Sequence, residues 1–181
     1  KIVLRGNRMA VCTLKGKVLL FDVSPDGSLV ESATFDYPDA VRGIVLTEEV
    51  LVVALADGTM SLYDLAAWPQ LTEYAQFKLP GKPMALESIP GRVSVAVGLV
   101  SWGVVLVDLN RQGLPEVYGH LRVSRNFSGM KFSPDKMFVT SYRRGLEVFS
   151  LDEISRGDQA LQATEATLKE KYTQFYSWNG S

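Results

Sequence analysis

A figure of tight turn, short alternating strand and closing polar residue recurs four times in this chain, and it narrows the folds open to it. It reads GKVLLFDV at Gly16–Val23, GTMSLYDL at Gly58–Leu65, GVVLVDL at Gly103–Leu109 and GLEVFSL at Gly145–Leu151. The closing positions Asp22, Asp64, Asp108 and Ser150 stand 42, 44 and 42 residues apart. A period of that length built from strands predicts an all-β chain, a β-propeller of about four four-stranded blades.

The rest of each unit is copied as well. Ile44, Val45 and Leu46 follow Ile2, Val3 and Leu4 at an offset of 42, and so do Val53 after Val11 and Leu62 after Leu20. Each unit therefore reads as four strands. The inner strands are Ile2–Leu4, Gly43–Leu46, Met84–Ser88 and Gly129–Phe132. The second strands are Met9–Leu14, Val50–Ala56, Val93–Leu99 and Met137–Tyr142. The third strand is the recurring figure, and the outer strands are Leu29–Phe35, Leu71–Phe77 and Glu116–Val123. Second strands such as LVVALA are near-continuous apolar runs, as expected where both faces are covered. Third strands alternate, with Met60 and Leu62 against Ser61 and Asp64, which predicts positions nearer the rim. The recurring glycine supplies the positive φ of a tight hairpin.

Blade boundaries are expected near 1–37, 38–79, 80–123 and 124–168. Residues 169–181 would start a further inner strand or form a C-terminal extension. The segment 152–171 is polar and rich in helix formers. Within it, Ala160–Leu168 reads as an outer strand running into an extension, with a short helix capped by Asp158 as the alternative. A chain that opens in one inner strand and ends in another reads as an excerpt from a larger propeller, rather than as a closed four-blade ring. Missing blades of a parent chain, or a symmetry mate, would then cover its open edges.

Charge and cysteine content exclude some classes of function. The formal net charge is −1, so no global field favours nucleic acid, and no nucleic-acid partner is expected. No apolar run reaches the roughly 18 residues of a membrane-spanning helix. The lone Cys12 excludes an internal disulfide framework and lies in an apolar run, which suits a buried, inert thiol. No nucleophile elbow, phosphate-binding loop or Cys/His metal spacing occurs, so no catalytic residue, metal or cofactor is assigned.

Two families of propeller repeat are resembled. Gly103, Val105, Val107, Asp108 and Leu109, followed by Pro115 and Val117, resemble LVIVD-type repeats, a likeness spread over roughly residues 1–151. Gly119-His120, then Phe132–Lys136, then Thr140–Ser150 is similar to the order of a WD repeat. Arg143 or Arg144 stands at that family's turn aspartate and Phe149 at its tryptophan, so its hydrogen-bonded tetrad cannot form. The resemblances imply a propeller and no specific activity.

The candidate residues follow from where the copies differ. Asp22, Asp64 and Asp108 share one repeated station, which points to a turn or cap, since catalysis needs one site rather than three. His120, the sole histidine, suits a structural hydrogen bond within an outer strand. Ten acidic residues against Arg42 alone lie between Asp22 and Glu73, whereas seven basic residues against three acidic lie between Arg111 and Glu147. Arg122, Arg125, Arg143 and Arg144 are thus a candidate basic patch for an acidic protein or a phosphate, with solvated loops as the plain alternative. Trp68 and Trp102 are candidate loop anchors for a partner, or packing against the adjacent blade. Arg5, Arg42, Glu87 and Lys131 are the nearest candidates for lining a central channel. The sequence favours a non-enzymatic platform that binds a protein partner through blade loops and charged edges. A propeller enzyme or small-ligand binder of the lactonase or hydrolase sort is the alternative.

Overall fold

Short runs of β-branched and aliphatic residues, closed at each end by Gly, Pro, Asp or Ser, fold as strands. In the computed structural model, which describes residues 1–109, 115–121, 123, 127–141 and 145–151, fifteen strands form four antiparallel sheets. The first sheet holds β1 (Ile2–Arg5), β2 (Arg8–Cys12), β3 (Lys17–Val23) and β4 (Leu29–Asp36). The second holds β5 (Val41–Leu46), β6 (Val50–Leu55), β7 (Thr59–Asp64) and β8 (Thr72–Lys78). The third holds β9 (Pro83–Ser88), β10 (Ser94–Leu99), β11 (Gly103–Asp108) and β12 (Glu116–Leu121). The fourth shows β13 (Phe127–Phe132), β14 (Lys136–Ser141) and β15 (Gly145–Ser150). Within each sheet every strand pairs with its neighbour in sequence, so each is a meander and together they are propeller blades. The outer strand expected at 160–168, and the segments 152–171 and 169–181, lie outside the described residues.

Register shows how closely the unit is repeated. Val53 stands between Ile44 and Ser61 in blade 2, and Val97 between Leu86 and Val105 in blade 3. The outer strand meets the third strand through a one-residue bulge after Leu20, Leu62 and Leu106, which are equivalent positions. The hairpin glycines Gly16, Gly58, Gly103 and Gly145 have φ of 79°, 91°, 86° and 71°, a region costly for any other residue. At Gly103 space adds a second demand, because a Cβ there would lie 2.3 Å from the Leu121 carbonyl oxygen.

The apolar core lies between blades rather than within them. Ala10, Cys12, Val18 and Leu20 of blade 1 meet Ile44, Leu51, Val53, Tyr63 and Leu65 of blade 2. Val52, Met60, Leu62 and Phe77 on the other face of blade 2 meet Leu86, Val97, Val105 and Val107 of blade 3. Ala96, Val104 and Leu106 on the far face of blade 3 meet Phe127, Met137 and Val139 of blade 4. Each interior Leu or Val so placed contributes roughly 1.5–3 kcal/mol of burial. Every blade thus has a front face, turned to the preceding blade, and a back face, turned to the next.

The third strands lie one place outside the second strands, as expected, and β3 and β15 are partly exposed, but in β7 and β11 Met60–Tyr63 and Gly103–Val107 are buried throughout. Outer strands β8 and β12 flank them, and neighbouring blades cover both faces. Ser61, which suggested a solvent face, is buried and accepts a hydrogen bond from Gln76 Nε2 at 3.1 Å. Cys12 is buried and unpaired, as an inert core thiol.

Candidate functional site

The inner strands β1, β5, β9 and β13 all run the same way, so position along a strand gives depth along the propeller axis. The near end carries the turns that leave the inner strands and the loops after the third strands. The far end carries the glycine hairpins.

This depth rule sorts the four channel candidates. Arg5 is the last residue of β1, Glu87 lies one before the end of β9 and Lys131 one before the end of β13, all toward the near end. Arg42, second in β5, stands at the far end and is exposed. Glu87 and Lys131 are brought together, with Lys131 Nζ 2.8 Å from Glu87 Oε1. Lys1 Nζ, at the start of blade 1, reaches the same oxygen at 3.2 Å and also donates to the Leu86 carbonyl. Arg5 turns instead to Glu48, Nη2 to Oε1 at 2.9 Å. The four residues therefore form a cation-bracketed glutamate, a separate surface ion pair and a distant arginine, not one convergent site. Among the described residues no three His, Cys, Asp or Glu side chains converge as metal ligands.

Arg5 and Glu48 border a groove of about 290 Å³ at the near end, between the β5–β6 and β9–β10 turns. Thr47 builds one wall, its Oγ1 accepting from the amides of Val50 at 2.8 Å and Glu49 at 3.2 Å. Pro90 and Gly91 shape the other, Gly91 with φ of 72°. Glu49, Arg92 and the exposed Val93 complete a lining of both charge signs around an apolar spot. The groove arises only because the turns of two blades, over forty residues apart in sequence, stand side by side.

The two candidate tryptophans, Trp68 and Trp102, sit at blade boundaries. Trp68 Nε1 donates to Asp22 Oδ1 at 2.9 Å, and the Arg8 guanidinium lies 5.4 Å over the indole ring. Ser32 Oγ donates to the second oxygen of Asp22. Trp68 therefore spans from the loop after β7 back to blade 1. Trp102, at the far end, packs on the core between blades 2 and 3, and its carbonyl oxygen meets His120 Nε2. The Trp102 and His120 rings are 6.3 Å apart and tilted by 54°. His120 has the structural contact expected of it, while its Nδ1 is buried without a partner. At the aspartate station, Asp64 Oδ1 accepts from the Ala66 amide at 2.7 Å, while Asp22 anchors Trp68. Arg122, Arg125, Arg143 and Arg144 lie outside the described residues.

Two electrostatic features mark the blade ends. Burial raises the Tyr37 and Tyr63 phenols above their usual range at the boundary of blades 1 and 2, which keeps both neutral. At the far end, burial works to raise the Asp57 carboxyl. Hydrogen bonds from Lys78 and from the Thr59 amide and hydroxyl outweigh it and hold Asp57 below the usual carboxylate range.

Comparison with known proteins bears on the fold. No protein-family model matches the chain, and no curated protein matches it. Among solved structures it is similar to the computationally designed Ika8 protein, with a TM-score of 0.64 and 16% sequence identity. The superposition covers 83% of this chain and 45% of that one, so this chain spans less than half of its length. At that identity the likeness concerns architecture alone.

Proposed function

We propose that this chain is a non-enzymatic β-propeller platform that binds a protein partner through blade loops and charged edges. The observation that carries the reading is the near-end groove. Glu48, Glu49 and Arg92 stand on short turns that lead into the fully buried β6 and β10, with Arg5 at the exposed end of β1 and Val93 exposed beside them. Rigidly mounted side chains of both signs around an apolar spot suit a polypeptide that supplies complementary charges and one apolar side chain. The candidate patch of Arg122, Arg125, Arg143 and Arg144 extends this reading on sequence grounds, through its affinity for carboxylate or phosphate. Likewise the resemblance to LVIVD-type repeats rests on Gly103, Val105, Val107, Asp108 and Leu109.

Affinity purification with the intact chain tests the proposal, comparing it with Glu48→Lys/Arg92→Glu and Arg143→Glu/Arg144→Glu at two salt concentrations. Either double reversal should remove a specific co-purifying protein, with the wild-type interaction weakening as salt rises. Unchanged capture by both variants would overturn it. Thermal unfolding with Ca²⁺, Mg²⁺ and Zn²⁺ addresses the channel-ligand alternative: a rise of several degrees with one ion would favour that alternative over the platform.

A further inference from the structure

The two ends of the propeller differ in charge, and the far end combines unpaired cations with exposed apolar tips. Near-end turns and strand ends are acidic, as at Glu48, Glu49, Asp64, Asp108 and Glu116. At the far end Lys15, Lys17, Arg42, Lys78 and Lys82 stand exposed, against Asp36, Asp39 and Asp57. Lys17 takes up Asp36 at 3.0 Å and Lys78 takes up Asp57 at 2.5 Å, while Asp39 Oδ1 accepts from the Ala40 amide at 2.7 Å. Among the described residues no ion pair engages Lys15, Arg42 or Lys82. The formal net charge of −1 conceals this segregation, because the two ends offset each other.

The apolar residues at this end follow the repeat. Leu14, Ala56 and Val100, 42 and 44 residues apart, are equivalent positions in the hairpins between second and third strands. Leu14 is 70% exposed and Val100 44%, and Met84, second in β9, is half exposed at the same end. Leu14 directly precedes Lys15, and the Val100 amide donates to the Lys82 carbonyl at 2.9 Å. Each projecting apolar side chain is therefore fixed beside an unpaired lysine. Equivalent hairpins stand at one depth, so the tips of blades 1 and 3 reach the same plane, with the hairpin of blade 2 between them. A polypeptide hot spot gathers its apolar contacts into one desolvated pocket. Separate apolar tips in a plane, with cations among them, suit a flat surface that takes up each tip on its own and is negative throughout. An anionic lipid bilayer is such a surface.

We propose that the far end docks on anionic phospholipid membranes, with Leu14 and Val100 entering the boundary between headgroups and acyl chains and Lys15, Arg42 and Lys82 meeting the headgroups. This surface is separate from the near-end groove, so the proposal does not rest on the protein partner proposed there, and the groove faces away from the lipid. Docking is peripheral and needs no membrane-crossing helix; no helix among the described residues is long and apolar enough to be one. Each cation close to an anionic surface contributes roughly fivefold in affinity, and salt weakens the contribution.

Co-sedimentation of the intact chain with vesicles tests this, comparing phosphatidylcholine alone with phosphatidylcholine containing phosphatidylserine, at low and high salt. The expected result is binding to the anionic vesicles only, weakening as salt rises. Lys15→Glu/Lys82→Glu should reduce the affinity at least about tenfold. Leu14→Ser/Val100→Ser should reduce it by about tenfold and keep the salt dependence, since the cations remain. Leu29→Ser, at an exposed apolar residue of the near end, should bind as wild type does. All five positions are solvent-exposed, so circular dichroism should confirm that each variant folds and melts as wild type does. No binding to anionic vesicles at low salt would overturn the proposal and leave this face to an acidic polypeptide. Equal binding to both kinds of vesicle, or binding that either double variant leaves unchanged, would overturn it equally.

Discussion

Replacing Trp68 with Phe removes a single hydrogen bond across a blade boundary and leaves most of the ring in place. Trp68 Nε1 donates to Asp22 Oδ1 at 2.9 Å, while Ser32 serves the other carboxylate oxygen and Arg8 sits 5.4 Å over the indole. A hydrogen bond to a charged acceptor contributes about 1.5–3 kcal/mol where water is excluded. Here the pair is half-buried and Asp22 keeps a second donor, so the loss should be about 1–2 kcal/mol. In a domain of this size each kcal/mol moves the melting temperature by about 2–4 °C, which gives a fall of roughly 2–8 °C by circular dichroism. Asp22→Asn keeps a carbonyl acceptor and should cost less than Asp22→Ala. In the double-mutant cycle of Trp68→Phe with Asp22→Ala, a coupling of about 1 kcal/mol is expected. A fall below 1 °C, or strictly additive losses, would refute the claim that this loop is tied to blade 1.

Three further outcomes follow from the geometry. Gly103→Ala should destabilise by at least about 1 kcal/mol more than Gly145→Ala in urea unfolding. Both positions have positive φ, but only the first Cβ meets a carbonyl oxygen at 2.3 Å, while nothing lies within 4 Å of the second. Gly98→Ala should cost about 1–3 kcal/mol, because its Cβ would lie 2.3 Å from the Phe127 ring in the blade 3–blade 4 core; Phe127→Leu in the same chain should restore part of it. Asp57 titrates below its unfolded-state value near 3.8 despite partial burial, through its bonds to Lys78 and Thr59. A depressed folded value contributes stability above the unfolded value and loses it as pH falls through the folded one. Both partners are about half-exposed, so the contribution stays below about 1 kcal/mol and weakens with salt. Wild type should therefore melt slightly above Asp57→Asn at pH 6, and the gap should narrow as pH falls through the folded value.

The blade repeat was legible because its signals are local. A hairpin glycine needs a left-handed residue where it stands, and a strand buried on both faces needs an unbroken apolar run, so Gly58 and LVVALA announce themselves. Residues that act between blades carried no such mark. Nothing near Trp68 points to Asp22, which lies 46 residues earlier, and nothing near Glu87 points to Lys1. The alternation of β7 misled for the same reason: Ser61 reads as a solvent residue until Gln76 and the adjoining blades enclose it. Of the candidate site, the sequence supplied the charged residues Arg5, Glu87 and Lys131. Their grouping depends on strand direction and blade stacking, which split Arg42 from the others and joined Arg5 to a groove between two turns.

Amide hydrogen exchange, resolved strand by strand, tests most directly the claim that blades are stabilised by covering one another's faces. The strands β6 and β10, in blades packed on both faces, should exchange markedly slower than β2 and β14. Uniform protection across the four blades, or β2 and β14 slower than β6 and β10, would contradict the account.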